Sequence, residues 1–67
     1  MRLKMNIKVN GEIIEIEENL SLIQFLQNKN IPEKKIIIEK NKTILSDLNA
    51  FLKEGDVLEI IRLVGGG

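Results

Sequence analysis

Residues 2–9 and the Asn10-Gly11 pair that follows them constrain the fold more than any other part of the sequence. Apolar and polar side chains alternate through residues 2–9, and this period of two predicts a strand with one buried face. Asn-Gly strongly favours a hairpin, because a type I′ turn requires positive φ at both central residues. A two-residue loop also fixes the register and sets Ile7 opposite Ile14. The predicted inner face comprises Met5, Ile7, Ile14 and Ile16.

A helix is predicted at about residues 22–29, where apolar residues recur at helical spacing. Ser21 can cap its first turn, and Gln24 is placed three residues later to complete a capping box. Asn30 suits a left-handed residue at the end of the helix, and Pro32 cannot continue it. The signals at both ends agree on one short helix.

The second half of the sequence predicts two further strands. Residues 35–40 contain three consecutive isoleucines, a β-branched run typical of a buried strand. Asn41-Lys42 is expected to turn the chain, and Ser46 or Asp47 could cap a short helical turn that runs through Leu48 and Phe51. Residues 54–56 predict another turn, and residues 57–64 predict the last strand.

The resulting order is strand, strand, helix, strand, short turn, strand. Such an order predicts an α+β domain in which one main helix packs on one face of a sheet. With the last strand parallel to the first, it is the ubiquitin-like β-grasp arrangement, with a mixed sheet of four to five strands. We expect residues 1–64 to form this domain and residues 65–67 to form a flexible glycine tail.

Composition excludes several classes of function. The ten basic and ten acidic residues cancel, and two Phe without Trp or Tyr give no platform for stacking bases, so a nucleic-acid partner is not expected. No apolar run approaches the roughly 18 residues of a membrane span, and no signal peptide is evident. The lack of Cys and His excludes disulfides and the usual zinc sites. We expect a cytoplasmic protein.

An acidic stretch in the second predicted strand does not predict a metal site. Alternation places Glu15 and Glu17 on a solvated strand face, whereas hard cations require convergent oxygens from a loop.

Both ends of the sequence resemble one family. Asn6–Glu12 and Lys53–Gly67, which includes Gly65-Gly66-Gly67, are similar to the bacterial sulfur carriers of thiamin biosynthesis. That family has the β-grasp fold and ends in a diglycine. Leu45–Asn49 also resembles the segment of ubiquitin that precedes its final strand. The segment between Asn41 and Gly55 is shorter than is usual in the thiamin carriers, and their frequent Pro-Arg pair is absent.

The resemblance implies a carrier that is not itself an enzyme. In the family, an adenylating enzyme uses ATP to activate the terminal carboxylate, here that of Gly67. A sulfur donor such as a cysteine desulfurase relay converts it to a thiocarboxylate, which supplies thiazole synthase. Gly66 would give clearance behind the reactive group, and Gly65 would extend the tail. No bound cofactor is implied.

The folded domain is expected to make the docking contact with the partner enzyme. By the ubiquitin-like pattern, Leu58 and Ile60 point inward on the last strand, and the alternate residues point outward. The predicted partner-binding residues are Glu59, Ile61, Leu63 and Val64. An alternative stays open, in which Ile61 and Leu63 are core-edge residues covered by the short helix near Phe51.

Two other functions remain possible at this stage. A molybdopterin sulfur carrier would use the same tail chemistry, although those proteins are usually longer and richer in aromatic residues. A ubiquitin-like interaction module would use the surface without any chemistry at Gly67.

Overall fold

The computed structural model describes residues 3–63 and confirms an α+β domain with one helix on one face of a mixed sheet. Within these residues the sheet has five strands in the order β2-β1-β5-β3-β4. The last strand lies in the middle, parallel to β1 and antiparallel to β3. The elements are β1 (Lys4–Val9), β2 (Glu12–Glu17), α1 (Leu22–Asn28), β3 (Ile36–Lys40), β4 (Thr43–Ile44) and β5 (Val57–Arg62).

The first hairpin has the predicted register. Asn10 and Gly11 have φ values of 50° and 85°, as a type I′ turn requires. Ile7 lies opposite Ile14, and Lys4 lies opposite Glu17. On the inner face of β2, Ile16 is buried, whereas Ile14, which is nearer the hairpin turn, is only partly buried.

Helix α1 begins with the predicted capping box. The Ser21 hydroxyl accepts a hydrogen bond from the Gln24 N–H, and the Gln24 side chain accepts one from the Ser21 N–H. Asn30 has a φ of 57°, the left-handed conformation expected after the helix. No helix within residues 3–63 is long and apolar enough to cross a membrane. The core under α1 consists of Met5, Ile7, Ile16, Leu22, Phe25, Leu26, Ile38, Leu52 and Leu58.

The short helical turn expected from Ser46 or Asp47 through Phe51 is wrong. The Asp47 carboxylate accepts a hydrogen bond from the Asn49 N–H at 3.0 Å, which forms a local turn. The carbonyls of Leu48 and Ala50 accept hydrogen bonds from the first two N–H groups of α1. Those N–H groups have no partner within their own helix. The segment forms a single turn, closed by a hydrogen bond from the Ala50 N–H to the Asp47 carbonyl at 3.2 Å, and its carbonyls satisfy these donors of α1.

The strand bounds also differ from the prediction. Lys35 has a φ of 63°, so β3 begins at Ile36 and not at residue 35. Of its three isoleucines only Ile38 is fully buried, because the others lie toward the exposed end or outer face of the sheet. Strand β5 ends at Arg62, and residues 1–2 and 64–67 lie outside the described residues. The division into a domain at 1–64 and a tail at 65–67 therefore stays a prediction.

Candidate functional site

The candidate site is built on β5, the strand that precedes the glycines in the sequence. This strand is hydrogen-bonded on both sides, to β1 and to β3. Leu58 is fully buried and Ile60 is partly buried against the core, as predicted. Strand β1, strand β3 and the core therefore all hold β5 in place.

The outer face of β5 carries the predicted docking residues. Ile61 is 45% exposed and Leu63 is 49% exposed. Ile61 lies opposite Ile37 of β3, which adds a third aliphatic side chain. We call Ile37, Ile61 and Leu63 the outer patch. The alternative in which a helix near Phe51 covers Ile61 and Leu63 is wrong, because that segment is not helical and both side chains are exposed.

Two carboxylates face each other beside the outer patch. Glu59 of β5 lies directly opposite Glu39 of β3. Like charges in this position destabilise a sheet. Within residues 3–63 neither carboxylate forms an ion pair. The pair gives the outer face a local negative charge that a cationic partner would neutralise.

A buried carboxylate fixes the start of β5. Asp56 is 7% exposed, and its two oxygens accept hydrogen bonds from the Asn41 side-chain amide at 3.1 Å and the Lys53 N–H at 2.8 Å. The Asn41 side-chain oxygen in turn accepts from the Val57 N–H at 2.9 Å. The β3–β4 turn and the first residue of β5 are thereby held together.

A second asparagine holds β5 further along. The Asn10 N–H donates to the Leu58 carbonyl at 2.9 Å, the last step of the β1–β5 ladder. Beyond it, the Asn10 side-chain oxygen accepts from the Ile60 N–H at 2.8 Å, and its NH₂ group donates to the Ile60 carbonyl at 3.5 Å. The side chain thus takes the place of one more residue of β1.

The structure brings Glu59, Ile61 and Leu63 together on one face, while Val64, Gly65, Gly66 and Gly67 lie outside the described residues. Sequence reasoning missed Asn10, Asn41 and Asp56 as residues that position β5. Both asparagines were identified as turn residues, but nothing in a local pattern reveals a side-chain bond to a strand 16 or 50 residues away. It also missed Ile37, whose outward direction follows only from the pairing with Ile61.

Among residues 3–63 there is no group of three acidic residues placed to hold a metal ion. Glu15 and Glu17 lie exposed on β2, and the Lys4 ammonium lies 3.7 Å from the Glu15 carboxylate. An exposed ion pair of this kind contributes at most about 1 kcal/mol.

Over residues 3–63, a mixed sheet with its last strand in the centre, packed on a single helix, defines a small β-grasp domain. Residues 7–67 match the ThiS family, and the chain belongs to that family. The match includes β5, the predicted docking residues and the three glycines.

Two relatives extend the comparison. The chain is similar to the uncharacterized protein ycf40 of Porphyra purpurea, with 35% identity over 66 residues that cover 94% of this chain and 93% of the relative. It also resembles the crystal structure of the thiamine biosynthesis protein ThiS from Geobacter metallireducens, with a TM-score of 0.79 and 26% identity. That alignment covers 94% of this chain and all of the other.

Proposed function

We propose that this protein is a sulfur carrier in thiamin biosynthesis and that sulfur is carried on the terminal carboxylate of Gly67. One observation carries the proposal most directly: the family match extends through the glycines to residue 67. The likeness to a thiamine biosynthesis protein over the whole of its chain supports the pathway.

The proposed chemistry begins with activation, because a carboxylate repels nucleophiles and has no good leaving group. An adenylating enzyme joins the Gly67 carboxylate to the α-phosphate of ATP, and pyrophosphate leaves. The terminal sulfur of a donor persulfide attacks the acyl carbon, and AMP leaves with the original carboxylate oxygen. A second thiol then cleaves the sulfur–sulfur bond, so that Gly67 ends as a thiocarboxylate and the two thiols are oxidised to a disulfide.

In these steps the carrier presents its terminal carboxylate to the partner enzyme and does not itself catalyse the reaction. Glycine lacks Cβ, so Gly65–Gly67 can enter a narrow channel and adopt the φ values that it demands. A four-residue extended segment spans about 13 Å, which is enough to reach a buried nucleotide while the domain stays outside. The thiocarboxylate would then be presented to thiazole synthase in the same way.

The outer patch gives the proposed docking contact with the adenylating enzyme. Exposed aliphatic side chains beside the tail favour an apolar surface on the partner. The Glu39–Glu59 pair favours Lys or Arg at the edge of that surface, because an opposing cation relieves the repulsion between the two carboxylates. We expect a partner surface with an aliphatic centre and a basic rim.

The pathway is tested by following sulfur out of the carrier. The chain is loaded with radioactive sulfur and incubated with thiazole synthase and its precursors, or with the molybdopterin synthase catalytic subunit and its precursor. We expect label in the thiazole and none in molybdopterin. Label in molybdopterin alone would assign the molybdopterin pathway, and a chain that cannot be loaded at all would favour an interaction module.

A further inference from the structure

The turn between β1 and β2 contains a chemically reactive pair of residues. Of the seven asparagines in the sequence, Asn10 alone is followed by glycine. The Gly11 nitrogen has no Cβ beside it, so it is the least hindered nucleophile that can follow an asparagine. Both residues are exposed, and among residues 3–63 no atom beyond the chain neighbours of Gly11 lies within 4 Å of the point that a Cβ there would occupy. Water and base therefore reach the turn from solvent.

The reaction available to this pair is deamidation. The Gly11 nitrogen loses its proton to base and attacks the side-chain carbonyl carbon of Asn10. The bond from that carbon to the side-chain nitrogen breaks, and ammonia leaves with a proton taken from water. The product is a five-membered succinimide ring. A water molecule then opens the ring at either of its two carbonyls, which leaves aspartate or isoaspartate at position 10, and no oxidant or reductant is consumed.

The folded turn prevents closure of this ring. The ring forms only when the Gly11 nitrogen and the Asn10 Cβ lie on the same side of the bond between Cα and the carbonyl carbon. The φ values of 50° and 85° match a type I′ turn, in which ψ of the first central residue is about +30°. This ψ places the Gly11 nitrogen nearly opposite the Cβ. The attack therefore requires the turn to open.

The Asn10 side chain is also held by β5. Its oxygen accepts a hydrogen bond from the Ile60 N–H at 2.8 Å, and its NH₂ group donates to the Ile60 carbonyl at 3.5 Å. These bonds fix the amide against the strand. For the Gly11 nitrogen to reach the amide carbon, the turn must open and the amide must leave Ile60.

We propose that Asn10 is a deamidation site that the fold protects, and that opening of the turn with release of Ile60 exposes the chain to an irreversible modification. Aspartate at this position puts an oxygen in place of the NH₂ group that donates to the Ile60 carbonyl. Isoaspartate adds one carbon atom to the main chain, and a two-residue loop lengthened in this way does not keep the type I′ geometry. Both products weaken the attachment of the hairpin to β5.

The modification acts beside the outer patch. Ile60 lies between Glu59 and Ile61 in the sequence, and the ladder between β1 and β5 ends at Leu58. Loss of the Asn10 bonds leaves this part of β5 paired with β3 alone. We expect the modified chain to hold the outer patch less firmly. The inference does not depend on the proposed chemistry at Gly67.

The test follows the rate of conversion of Asn10 in the wild-type chain. The chain is incubated in mildly alkaline buffer, both folded and in concentrated guanidinium chloride, and the modified peptide is quantified by mass spectrometry and by an isoaspartate-specific methyltransferase. We expect the folded chain to react at least about tenfold more slowly, because the hydrogen bonds lost on opening contribute about 1.4 kcal/mol together. Equal rates would show that the fold does not protect the site.

Asn41 serves as the internal control for the chemistry. It has a φ of 54° and is followed by Lys42 with a φ of 71°, so it occupies a turn of the same kind without the glycine. We expect Asn41 to stay unmodified in the denatured chain over the time in which half of Asn10 is converted. Conversion of both asparagines at one rate, or of neither, would overturn the assignment of Asn10 as the site.

The isolated isoaspartate form tests the consequence. After refolding, we expect hydrogen exchange at the Ile60 N–H to be at least about fivefold faster than in the unmodified chain, the effect of losing one hydrogen bond. Exchange at the Leu26 N–H, inside α1, is expected to stay the same, which distinguishes a released hairpin from an unfolded chain. Unchanged exchange at Ile60, or equal acceleration at Ile60 and Leu26, would overturn the proposed effect on β5.

Discussion

The side-chain amide of Asn10 pairs with both backbone groups of Ile60, accepting from its N–H at 2.8 Å and donating to its carbonyl at 3.5 Å. The tip of the first hairpin is thereby attached to the strand that leads to the tail. Because Asn10 also has a positive φ, one residue forms the turn and holds β5. The position of β5 at Ile60 thus depends on a residue 50 positions earlier.

Replacement of Asn10 by Gly should separate these two roles. Glycine keeps the positive φ of the turn and removes the amide, so we expect the free energy of unfolding to fall by about 1 kcal/mol, with faster hydrogen exchange at the Ile60 N–H. Urea unfolding and NMR exchange measure both. Asn30→Gly is the control, because Asn30 has a similar φ of 57° without a comparable bond to a distant strand. Unchanged hydrogen exchange at the Ile60 N–H in Asn10→Gly would show that the Asn10 side chain does not hold β5.

Replacement of Asp56 by Ala should lower the free energy of unfolding more than Asn10→Gly does. It leaves the Lys53 N–H and the Asn41 amide without an acceptor in a largely buried position, so we expect a loss of about 2–3 kcal/mol in urea unfolding. Asp47→Ala, which removes a single bond in an exposed loop, should cost less than about 1 kcal/mol. Equal losses in the two variants would show that Asp56 does not hold the start of β5.

Replacement of Ile61 by Thr tests the outer patch. Threonine keeps the β-branched shape that strands favour and shortens the apolar surface, so stability should change by less than about 1 kcal/mol. We expect kcat/KM for adenylation by the partner enzyme to fall about tenfold, the equivalent of about 1.4 kcal/mol. The control is Ile13→Thr, which is 68% exposed on β2 and separated from β5 by β1. Similar rates for both variants would exclude the patch as the docking surface.

Replacement of Glu59 by Gln should change stability and docking in opposite directions. Removal of the repulsion from Glu39 should stabilise the domain by about 0.2–1 kcal/mol. Loss of a charge at the edge of the docking surface should slow association with the adenylating enzyme and reduce its dependence on salt. Stopped-flow association at two ionic strengths measures the second effect, with Glu18→Gln, next to β2 and away from the outer patch, as the control. Unchanged association would place Glu59 outside the contact.

Local patterns predicted the features that depend on neighbouring residues. The Asn10-Gly11 turn, the β1–β2 register and the Ser21–Gln24 capping box are short-range relationships, and each is confirmed. The segment around Asp47 was mispredicted because its carbonyls bond to the first turn of α1, a contact that no window of residues 46–51 contains. The bonds from Asn10 and Asn41 to β5 were missed for the same reason.

The residues predicted to dock show the same limit. The outward direction of Glu59, Ile61 and Leu63 was predicted from the ubiquitin-like pattern and is confirmed by their exposure, whereas docking itself stays a prediction. Their surroundings, with Ile37 and Glu39 on the neighbouring strand, required the order of strands in the sheet.

The central claim is that Gly67 carries sulfur, and the most direct test is the intact mass of the chain after incubation with ATP, a sulfur donor and the adenylating enzyme from the same genome. We predict a gain equal to the replacement of one oxygen by sulfur, located at Gly67 by fragmentation and absent from a variant that lacks Gly66 and Gly67. No gain with an enzyme shown to be active on another carrier, or a gain that persists in the shortened variant, would contradict the account.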